Sequence, residues 1–313
     1  CLRFGSKNME LYYNGVDIAD RVDITKCVHH ETSGGRCDCL EIEMEHAGAW
    51  YAWEPQTDDQ IIAAMDGYHT GTLYLSTILP RDGKYRILAA SIPSAARRKG
   101  YATYANISLK DLLASCASEC GMGSGLFGFD DEIIYPFLMR KMEGAAAFID
   151  RLMRWEGAAF KTVGSRFAGI SISSIQTAQA DQTIEISAEQ SGITHMKRND
   201  AKWAGVTIRT PYAECSAVDD AVSSGVYMTV TDLPALDDVQ AGRWARGLLL
   251  TNNRRAETLT ISTEFNAGIS AMTRIDIESP TETGGEWLVD EVVHDFIAKA
   301  TSATLARCID TIR

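Results

Sequence analysis

A helix that leads directly into a β-hairpin is predicted in the middle of the chain, and short strands are predicted on both sides of it. From Phe137 to Trp155, apolar residues recur at helical spacing and charged residues fall on the opposite side. We expect Gly157 to end this helix. The next residues, Ala158–Val163 and Phe167–Ile172, are typical of two strands joined by a tight turn. A helix-rich middle therefore separates two β-rich lobes.

The first lobe begins with a strong hairpin signal. Asn14-Gly15 lies between two strand-like runs, and both residues of such a turn adopt positive φ. Trp50–Pro55 is interpreted as an aromatic linker. Short strands separated by turns predict a small barrel or sandwich for this lobe. Further strands are predicted by alternation in the ranges 22–28, 40–44, 60–65, 72–78 and 84–92, with an Asp82-Gly83 turn between the last two.

Two more helices are predicted from capping and apolar patterns. Ser108 and Asp111 have the spacing of a capping box, which predicts a helix start, and Gly121 is expected to close that helix. The glycine-rich stretch from Gly121 to Gly128 is interpreted as a flexible loop. A long helix is predicted at about 236–253. The second β-rich region is predicted to contain strands at 183–186, 205–208, 226–230, 258–265, 272–277, 287–296 and 302–308.

Composition restricts the class of protein. The chain has 313 residues, 45% hydrophobic and 23% charged, as expected for a soluble globular protein of two or three domains. Its net charge of −12 and scattered basic residues argue against a DNA clamp, because DNA binding needs clustered Lys and Arg. The sequence contains no apolar run of about 18 residues, so no membrane span is predicted. The first residues lack the apolar core of a signal peptide. Eight irregularly spaced cysteines favour reduced thiols in a cytosolic protein.

The order of several motifs resembles the baseplate hub family of phage tails. This family includes the late control protein D type, the hubs of Mu-like and T-even phages, and the N-terminal hub portion of the type VI secretion spike protein VgrG. The resemblance covers about Met9 to Cys308. The residues that carry it are the Trp-x-x-Trp-x-Pro segment Trp50–Pro55, Gly71–Leu75, Asp82–Pro93, Ser108–Leu113 with its glycine-rich loop, Ala147–Lys161, Trp244–Arg254 and Gly285–His294.

The resemblance implies a fold and a role. The expected fold is α+β and mainly β, with two tube-type β-barrel domains flanking a central α/β domain. The expected domains are a first tube-type domain at 9–98, a central domain at 99–182, and a second tube-type domain at 183–313 that includes the long helix. Three chains would form a ring of six similar domains that joins a hexameric tail tube to a trimeric spike or tail tip.

The resemblance also implies partners and a location. Besides two further copies of the chain, the expected partners are the tail tube or distal tail protein, the central spike or tip protein, and the tape measure protein. DNA would pass through the lumen without specific binding. The protein would be a structural part of the virion, at the tail baseplate or tip, assembled in the host cytoplasm. No enzyme activity, cofactor or metal is expected on this interpretation.

A metal-dependent binding module is one alternative function. Cys27 and His29 precede Cys37 and Cys39 in two adjacent predicted strands. If Val28 and Leu40 both face the core, the antiparallel pairing places these four zinc-type ligands together on the outer face. Spacing of one residue along a strand separates side chains more than the usual Cys-x-x-Cys spacing does, so ordinary surface side chains are the competing interpretation.

A second alternative is a tail-associated peptidoglycan hydrolase. His294 lies beside Asp295 and near Asp290, but no Gly-x-Ser-x-Gly elbow accompanies them, which favours a structural histidine. The Gly121 to Gly128 stretch follows a helix rather than a strand, so it lacks the context of a nucleotide-binding loop. Cys116 and Cys120, at i and i+4 of a helix, are expected to pack in the core.

An acidic strand suggests a surface that repels passing DNA. Glu41, Glu43 and Glu45 line one face of a predicted strand. A solvated face is the ordinary interpretation. The functional hypothesis is that these carboxylates face the tube lumen, where like charge repels phosphate.

Overall fold

We describe the fold from a computed structural model for residues 9–45, 54–81, 83–187, 192–223 and 225–313. The strands are β1 (Met9–Tyr13), β2 (Val16–Asp17), β3 (Asp23–Thr32), β4 (Cys39–Glu45), β5 (Gln60–Met65), β6 (Tyr68–His69), β7 (Leu73–Arg81), β8 (Lys84–Ala90), β9 (Gly100–Ser108), β10 (Gly123–Phe127), β11 (Ile134–Glu143), β12 (Ala158–Val163), β13 (Arg166–Ser171), β14 (Gln182–Glu185), β15 (Thr194–Lys197), β16 (Trp203–Arg209), β17 (Glu214–Val218), β18 (Val226–Val230), β19 (Glu257–Glu264), β20 (Arg274–Glu278), β21 (Gly285–Asp295) and β22 (Ala300–Arg307).

The helices are fewer. They are α1 (Ser94–Arg97), α2 (Leu109–Ser118), α3 (Ala145–Trp155), α4 (Ile172–Thr177) and α5 (Asp238–Asn253), with single 3-10 turns at Ala19–Arg21, Asn199–Ala201 and Arg254–Ala256. The prediction of a mainly β chain is confirmed. Among the described residues, no helix is long and apolar enough to cross a membrane.

One large sheet runs through both predicted β lobes. Its main path is β15-β19-β22-β21-β3-β4-β8-β7-β5-β1-β2, with β14, β20 and β6 attached beside it. The first-lobe strands join the second-lobe strands through β3 and β21, which pair antiparallel. In the part of the chain that the structure describes, this path stays open. Among the described residues no closed barrel is therefore detected, and the arrangement of two tube-type barrels stays a prediction.

The middle of the chain adds three small sheets around the helices. They are a two-stranded ribbon of β9 and β11, a three-stranded sheet β10-β13-β12, and a three-stranded sheet β17-β16-β18. The ribbon packs on α2 and α3, α3 packs on α5, and α5 packs on β16 and β17. The layers are therefore ribbon, α2 with α3, α5, and sheet, and they share one hydrophobic core.

Three main hydrophobic cores follow the chain. The first lobe has its own core, which also includes Phe296 from the end of the chain. The second lobe has a separate core, centred on Trp287. The middle core contains Trp244 of the long helix, whose ring lies 4.8 Å from that of Trp155. The predicted domain boundaries, after residues 98 and 182, stay predictions.

Several local predictions are confirmed. Asn14 and Gly15 adopt positive φ, at 45° and 80°, as the hairpin turn requires. Ser108 accepts a hydrogen bond from the Asp111 amide at the start of α2. Gly157 ends α3 with a φ of 67°, and the hairpin β12–β13 follows as predicted. The segment Trp50–Trp53 and Asp82 lie outside the described residues.

Two local predictions are wrong. The helix predicted from Phe137 begins only at Ala145, because the residues before it form β11 and pair with β9. The supposed loop at Gly121 to Gly128 contains β10, which pairs parallel with the edge of the β12–β13 hairpin. In both places a strand partner distant in sequence determines the local structure.

Candidate functional site at the junction of the two β lobes

The two β lobes are joined by direct strand pairing. His294 of β21 lies opposite His29 of β3, and four neighbouring pairs continue the ladder on both sides. Beyond the ladder, the Ser33 amide donates to the Asp290 carbonyl at 2.7 Å. Because backbone hydrogen bonds continue through this boundary, the two lobes share a single sheet.

A buried group of four side chains, which we call the junction cluster, lies beside this pairing. It consists of Glu31, Asp38, Tyr68 and Lys161. The Lys161 ammonium lies 3.4 Å from Glu31 and 3.2 Å from Asp38. Tyr68 donates its hydroxyl hydrogen bond to Glu31, and the Ala271 amide donates to the same carboxylate at 2.9 Å. The cluster thus ties the first lobe, the central hairpin and the second lobe together.

Burial and pairing oppose each other at the junction cluster. Burial works to raise the pKa of Glu31, but the Lys161 ammonium and the donated hydrogen bonds bring this pKa below its ordinary value. For Asp38, burial is the larger effect and raises its pKa, although Lys161 opposes it. Buried carboxylates of this kind depend on their cation, because an uncompensated buried charge is costly.

Aromatic rings extend the junction cluster into the first-lobe core. The Tyr68 ring lies 4.2 Å from the His294 ring and 6.0 Å from the His29 ring. His29 Nδ1 lies 2.6 Å from the Tyr68 oxygen. Since the Tyr68 hydroxyl donates its hydrogen bond to Glu31, His29 Nδ1 is the donor in this contact. Burial lowers the pKa of His29 to about 3, so its ring is neutral at physiological pH.

A second buried ionic group, the arginine cluster, lies at the end of the same ladder. It consists of Ser33, Arg254, Arg255 and Asp290. Asp290 pairs with Arg254 at 2.8 Å and with Arg255 at 2.9 Å, and it accepts a hydrogen bond from Ser33. Burial works to raise the pKa of Asp290, but the two guanidinium groups outweigh it and lower the pKa. This cluster fastens the end of α5 to the strands of both lobes.

The histidine and aspartates considered for a hydrolase each have other partners at the junction. His294 donates from Nε2 to the Ile269 carbonyl at 3.0 Å, and its Nδ1 lies 3.0 Å from the Thr301 hydroxyl. Asp290 accepts its hydrogen bonds from the arginine cluster to which it belongs. Asp295 accepts hydrogen bonds from two turn amides. Among the described residues, the triad considered for a hydrolase is therefore not assembled.

The register of β3 and β4 differs from the one used to predict a metal site. At the start of β3, Ile24 pairs with Met44, as the even-to-even rule requires. The register then shifts by one residue, so that Thr25 has no opposite residue in the ladder and Cys27 pairs with Ile42. Beyond this shift, the odd-numbered residues of β3 pair with even-numbered residues of β4 and share a face with them.

The four predicted metal ligands consequently do not converge. Cys27 and His29 are buried in the sheet face that contains Leu40, whereas Cys39 lies on the opposite face and pairs with His30. Cys37 is exposed in the preceding loop. In the described ranges, no group of three or more His, Cys, Asp or Glu side chains is placed to hold a metal ion. The outer-face prediction is wrong for Cys27 and His29, which are buried.

The acidic strand β4 carries compensating charges. Glu41, Glu43 and Glu45 do lie on one face of β4, as predicted. Glu41 pairs with Lys26 at 2.9 Å and with Arg86 at 2.6 Å. A basic side chain also pairs with Glu45, at 3.1 Å. The face is therefore a mixture of both signs rather than a purely negative strip.

Sequence reasoning missed the residues that form the junction. Lys161 lies in a hairpin strand of mainly apolar residues, and this is the one local signal that a buried cation needed a partner. Arg254-Arg255 directly follows the long helix, which resembles an ordinary basic helix end. Their carboxylate partners are distant in sequence, so no spacing rule connects them. By contrast, Cys116 is buried in the middle core, as predicted.

Comparisons with known proteins agree on the fold. No family model and no curated protein matches the sequence. Among solved structures, the 43 kDa tail protein of prophage MuSo2 from Shewanella oneidensis has a TM-score of 0.74 at 10% identity, covering 96% of this chain and 98% of that one. The tail protein from Neisseria meningitidis MC58 has a TM-score of 0.74 at 9% identity, covering 96% of each chain.

A third and a fourth structure extend the comparison. Prophage tail protein gp18 from Listeria monocytogenes EGD-e has a TM-score of 0.64 at 10% identity, covering 96% of this chain and 94% of that one. The E. coli c3393 protein, a component of the type VI secretion system, has a TM-score of 0.55 at 11% identity, covering 95% of this chain and 76% of that one. The chain thus shares the fold of phage tail proteins over nearly its whole length.

Proposed function

We propose that the protein is a structural component of the tail of a phage or phage-like particle, located in the virion at the baseplate or tip. The observation that carries this proposal is the full-length likeness, in both directions, to tail proteins from two organisms at a TM-score of 0.74. A match over whole chains means that the lobes and the middle are arranged alike, which a shared small domain would not require.

Within the tail, we propose a trimeric hub. Each chain supplies two β lobes fixed to each other by the β3–β21 pairing and the junction cluster. Three chains then supply six lobes, which suits a ring between a hexameric tube and a trimeric spike or tip. Among the described residues, β2 and β15 are the two ends of the main path of the large sheet, and their outer edges would supply backbone groups for pairing between subunits.

A net charge of −12 suits a channel through which DNA passes without being held. The partners would be the tube or distal tail protein, the spike or tip protein, and the tape measure protein. The two tube-type domains, at 9–98 and 183–313, would close into complete barrels or a complete ring only with neighbouring subunits.

Class averages of the purified protein in negative stain test this function. We expect ring-shaped particles with threefold symmetry and six peripheral densities. Particles that are compact single chains at every concentration tested, or a ring of another symmetry, would contradict the trimeric hub.

A further inference from the structure

An amine and two carboxylates of the junction cluster lie in direct contact with one another and are largely removed from water. Lys161 is 7% exposed, and Glu31 and Asp38 are each 8% exposed. The Lys161 Nζ lies 3.2 Å from Asp38 Oδ2 and 3.4 Å from Glu31 Oε2. It also donates to the Thr32 carbonyl at 3.1 Å. Three acceptors therefore hold the amine against the carboxyl group of Asp38, at the contact distance of oriented reactants.

The two oxygens of Asp38 have different surroundings. Oδ1 accepts a hydrogen bond from the Thr32 amide at 2.9 Å, whereas Oδ2 is the oxygen nearest the Lys161 amine. A backbone amide at a carbonyl oxygen stabilises the negative charge that develops there when a nucleophile adds to the carbon. Burial raises the pKa of Asp38, so its neutral acid form is more accessible than that of an exposed aspartate. Asp38 therefore has the surroundings of an electrophile, with Oδ2 as the leaving oxygen.

Glu31 has the opposite character. Its carboxylate accepts hydrogen bonds from the Tyr68 hydroxyl and from the Ala271 amide, besides its contact with Lys161. Burial opposes its ionisation, but the ammonium and these hydrogen bonds keep the pKa of Glu31 below its ordinary value. Two neighbouring carboxyl groups whose surroundings shift their pKa values in opposite directions can divide the roles of acid and base between them. Glu31 is therefore the base of the cluster.

We propose that the side chains of Lys161 and Asp38 condense to an amide bond within the chain, with Glu31 as the acid–base group. The bond formed joins Lys161 Nζ to Asp38 Cγ, and the bond broken is Cγ–Oδ2. The ammonium gives up two of its three protons, and both leave with Oδ2 as water. One ammonium and one carboxylate become a neutral amide, so atoms and charge balance without an oxidant or a further reactant.

Glu31 carries the two protons in turn, because it and Asp38 contact the same nitrogen. It first takes a proton from the Lys161 ammonium and passes it to Asp38 Oδ2, which leaves a neutral amine beside a neutral acid. The amine adds to Cγ, and the charge on Oδ1 is stabilised by the Thr32 amide. The second proton follows the same route, water leaves, and Glu31 is a carboxylate again. Since folding produces the ion pair and the proton transfers come later, the amide accumulates after folding.

Burial and orientation favour the amide over the ion pair. Two buried charges carry a desolvation cost that a neutral amide does not. Fixing two groups in contact is equivalent to an effective concentration of about 10⁵ M or more, which favours condensation. A cavity of about 570 Å³ borders Asp38 and Lys161, and the exposed side chains of Arg36 and Arg97 also line it. The released water therefore has a route to solvent.

Intact-mass spectrometry of the full chain, followed by analysis of its tryptic peptides, tests the bond. We expect purified protein kept near neutral pH to convert with time to a species lighter by the mass of one water. In the digest, the peptide Cys37–Arg81 should be joined to Trp155–Arg166 as one branched peptide. The branched peptide is the decisive signal, because succinimide formation at Asp82-Gly83 removes the same mass but leaves linear peptides.

Two variants and an internal control separate the chemistry from simple contact. Lys161→Arg keeps a cation but removes the amine, so it should give no branched peptide. Glu31→Gln keeps both reacting groups and should form the branched peptide about a hundredfold or more slowly; circular dichroism melting checks that each variant is folded. Lys84 and Glu45 also lie in contact, at 3.1 Å, but their side chains are 52% and 42% exposed. We expect no link between this exposed pair.

Each possible failure has a definite meaning. Unmodified protein that keeps its full mass and gives no branched peptide after prolonged incubation would overturn the proposal, whether or not the variants fold. Equally fast formation in Glu31→Gln would overturn the role of Glu31. A link between Lys84 and Glu45 of equal yield would overturn the role of burial. The bond lies within one chain, so none of these results depends on the proposed tail function.

Discussion

His29 and His294 are direct partners across the two strands that join the β lobes, and Tyr68 lies against both rings. Burial lowers the pKa of each histidine, to about 3 for His29. Both rings are therefore neutral in the folded protein near neutral pH. This pair of neutral histidines lies next to the charged junction cluster. The boundary between the lobes therefore depends both on uncharged imidazole rings and on the ionised groups of the cluster.

Acidification should weaken folding through these histidines. An unfolded histidine gains a proton near pH 6.5, whereas folded His29 does not until about pH 3. Between these values the unfolded state binds more protons, so stability is complete above about pH 6.5 and falls as the pH drops, by about 1.4 kcal/mol per pH unit for one histidine.

The variant His29→Asn keeps a donor toward Tyr68 and removes the titration. We expect chemical denaturation between pH 7 and pH 5 to show a smaller loss of stability in this variant than in the unmodified protein. An identical pH dependence in both proteins would contradict the assignment to His29.

Removing the cation of the junction cluster should destabilise the protein strongly. Lys161→Met leaves Glu31 and Asp38 buried without their ammonium, which costs roughly 3–5 kcal/mol for a buried pair. Combining it with Glu31→Gln and Asp38→Asn should recover most of the loss. Urea denaturation measures both effects.

The matched control for Lys161 is an exposed ion pair. Arg209 and Glu214 pair at 2.6 Å, and both side chains are more than half exposed, at 58% and 54%. We expect Arg209→Ala to leave the denaturation midpoint nearly unchanged, because exposed pairs contribute little. Equal effects of Lys161→Met and Arg209→Ala would contradict the role of the junction cluster.

The long helix α5 packs closely on the central segment at Gly247, so we expect a larger side chain at this position to destabilise the protein. A Cβ on Gly247 would lie 2.0 Å from the Trp155 carbonyl oxygen and 2.3 Å from the Gly157 amide nitrogen. Both atoms belong to the backbone, so Gly247→Ala should force α5 and α3 apart and cost at least about 1–3 kcal/mol.

Gly242→Ala is the control in the same helix. Its nearest contact would be the Cys215 side chain, at 3.1 Å, which can adjust more readily than backbone. Alanine also favours the helix over glycine. Thermal melting should show a large decrease only for Gly247→Ala, and similar decreases for both variants would refute the close approach.

Zinc should not bind stoichiometrically to the cysteines and histidine of β3 and β4. The register shift separates Cys27 and His29 from Cys39, so a tetrahedral site would require the sheet to break. We expect chelator-washed protein to contain far less than one zinc per chain by elemental mass spectrometry, with an unchanged melting temperature. One retained equivalent of zinc would show that these residues rearrange to bind it.

Local signals in the sequence predicted the elements that depend on neighbouring residues. The Asn14-Gly15 turn, the Ser108 cap and the hairpin after Gly157 each follow from residues a few positions apart, and each is present. The long helix is also present, at Asp238–Asn253. These features are fixed by backbone φ preferences and by short-range hydrogen bonds.

The elements that depend on distant partners could not be predicted in this way. The strand at Ile134–Glu143 contains residues with helical spacing, yet pairing with β9 determines its structure. The register shift after Ile24 changes which residues of β3 and β4 share a face of the sheet, and it has no local sequence signal. The junction itself joins Lys161 to Glu31 across 130 residues of chain, so only the folded structure reveals it.

The mass of the purified protein in solution, measured by light scattering over a range of concentrations, tests the trimeric hub most directly. We expect a species of three times the 34.3 kDa chain mass. A mass of one chain at every concentration, or a stable dimer of the unmodified protein, would contradict it.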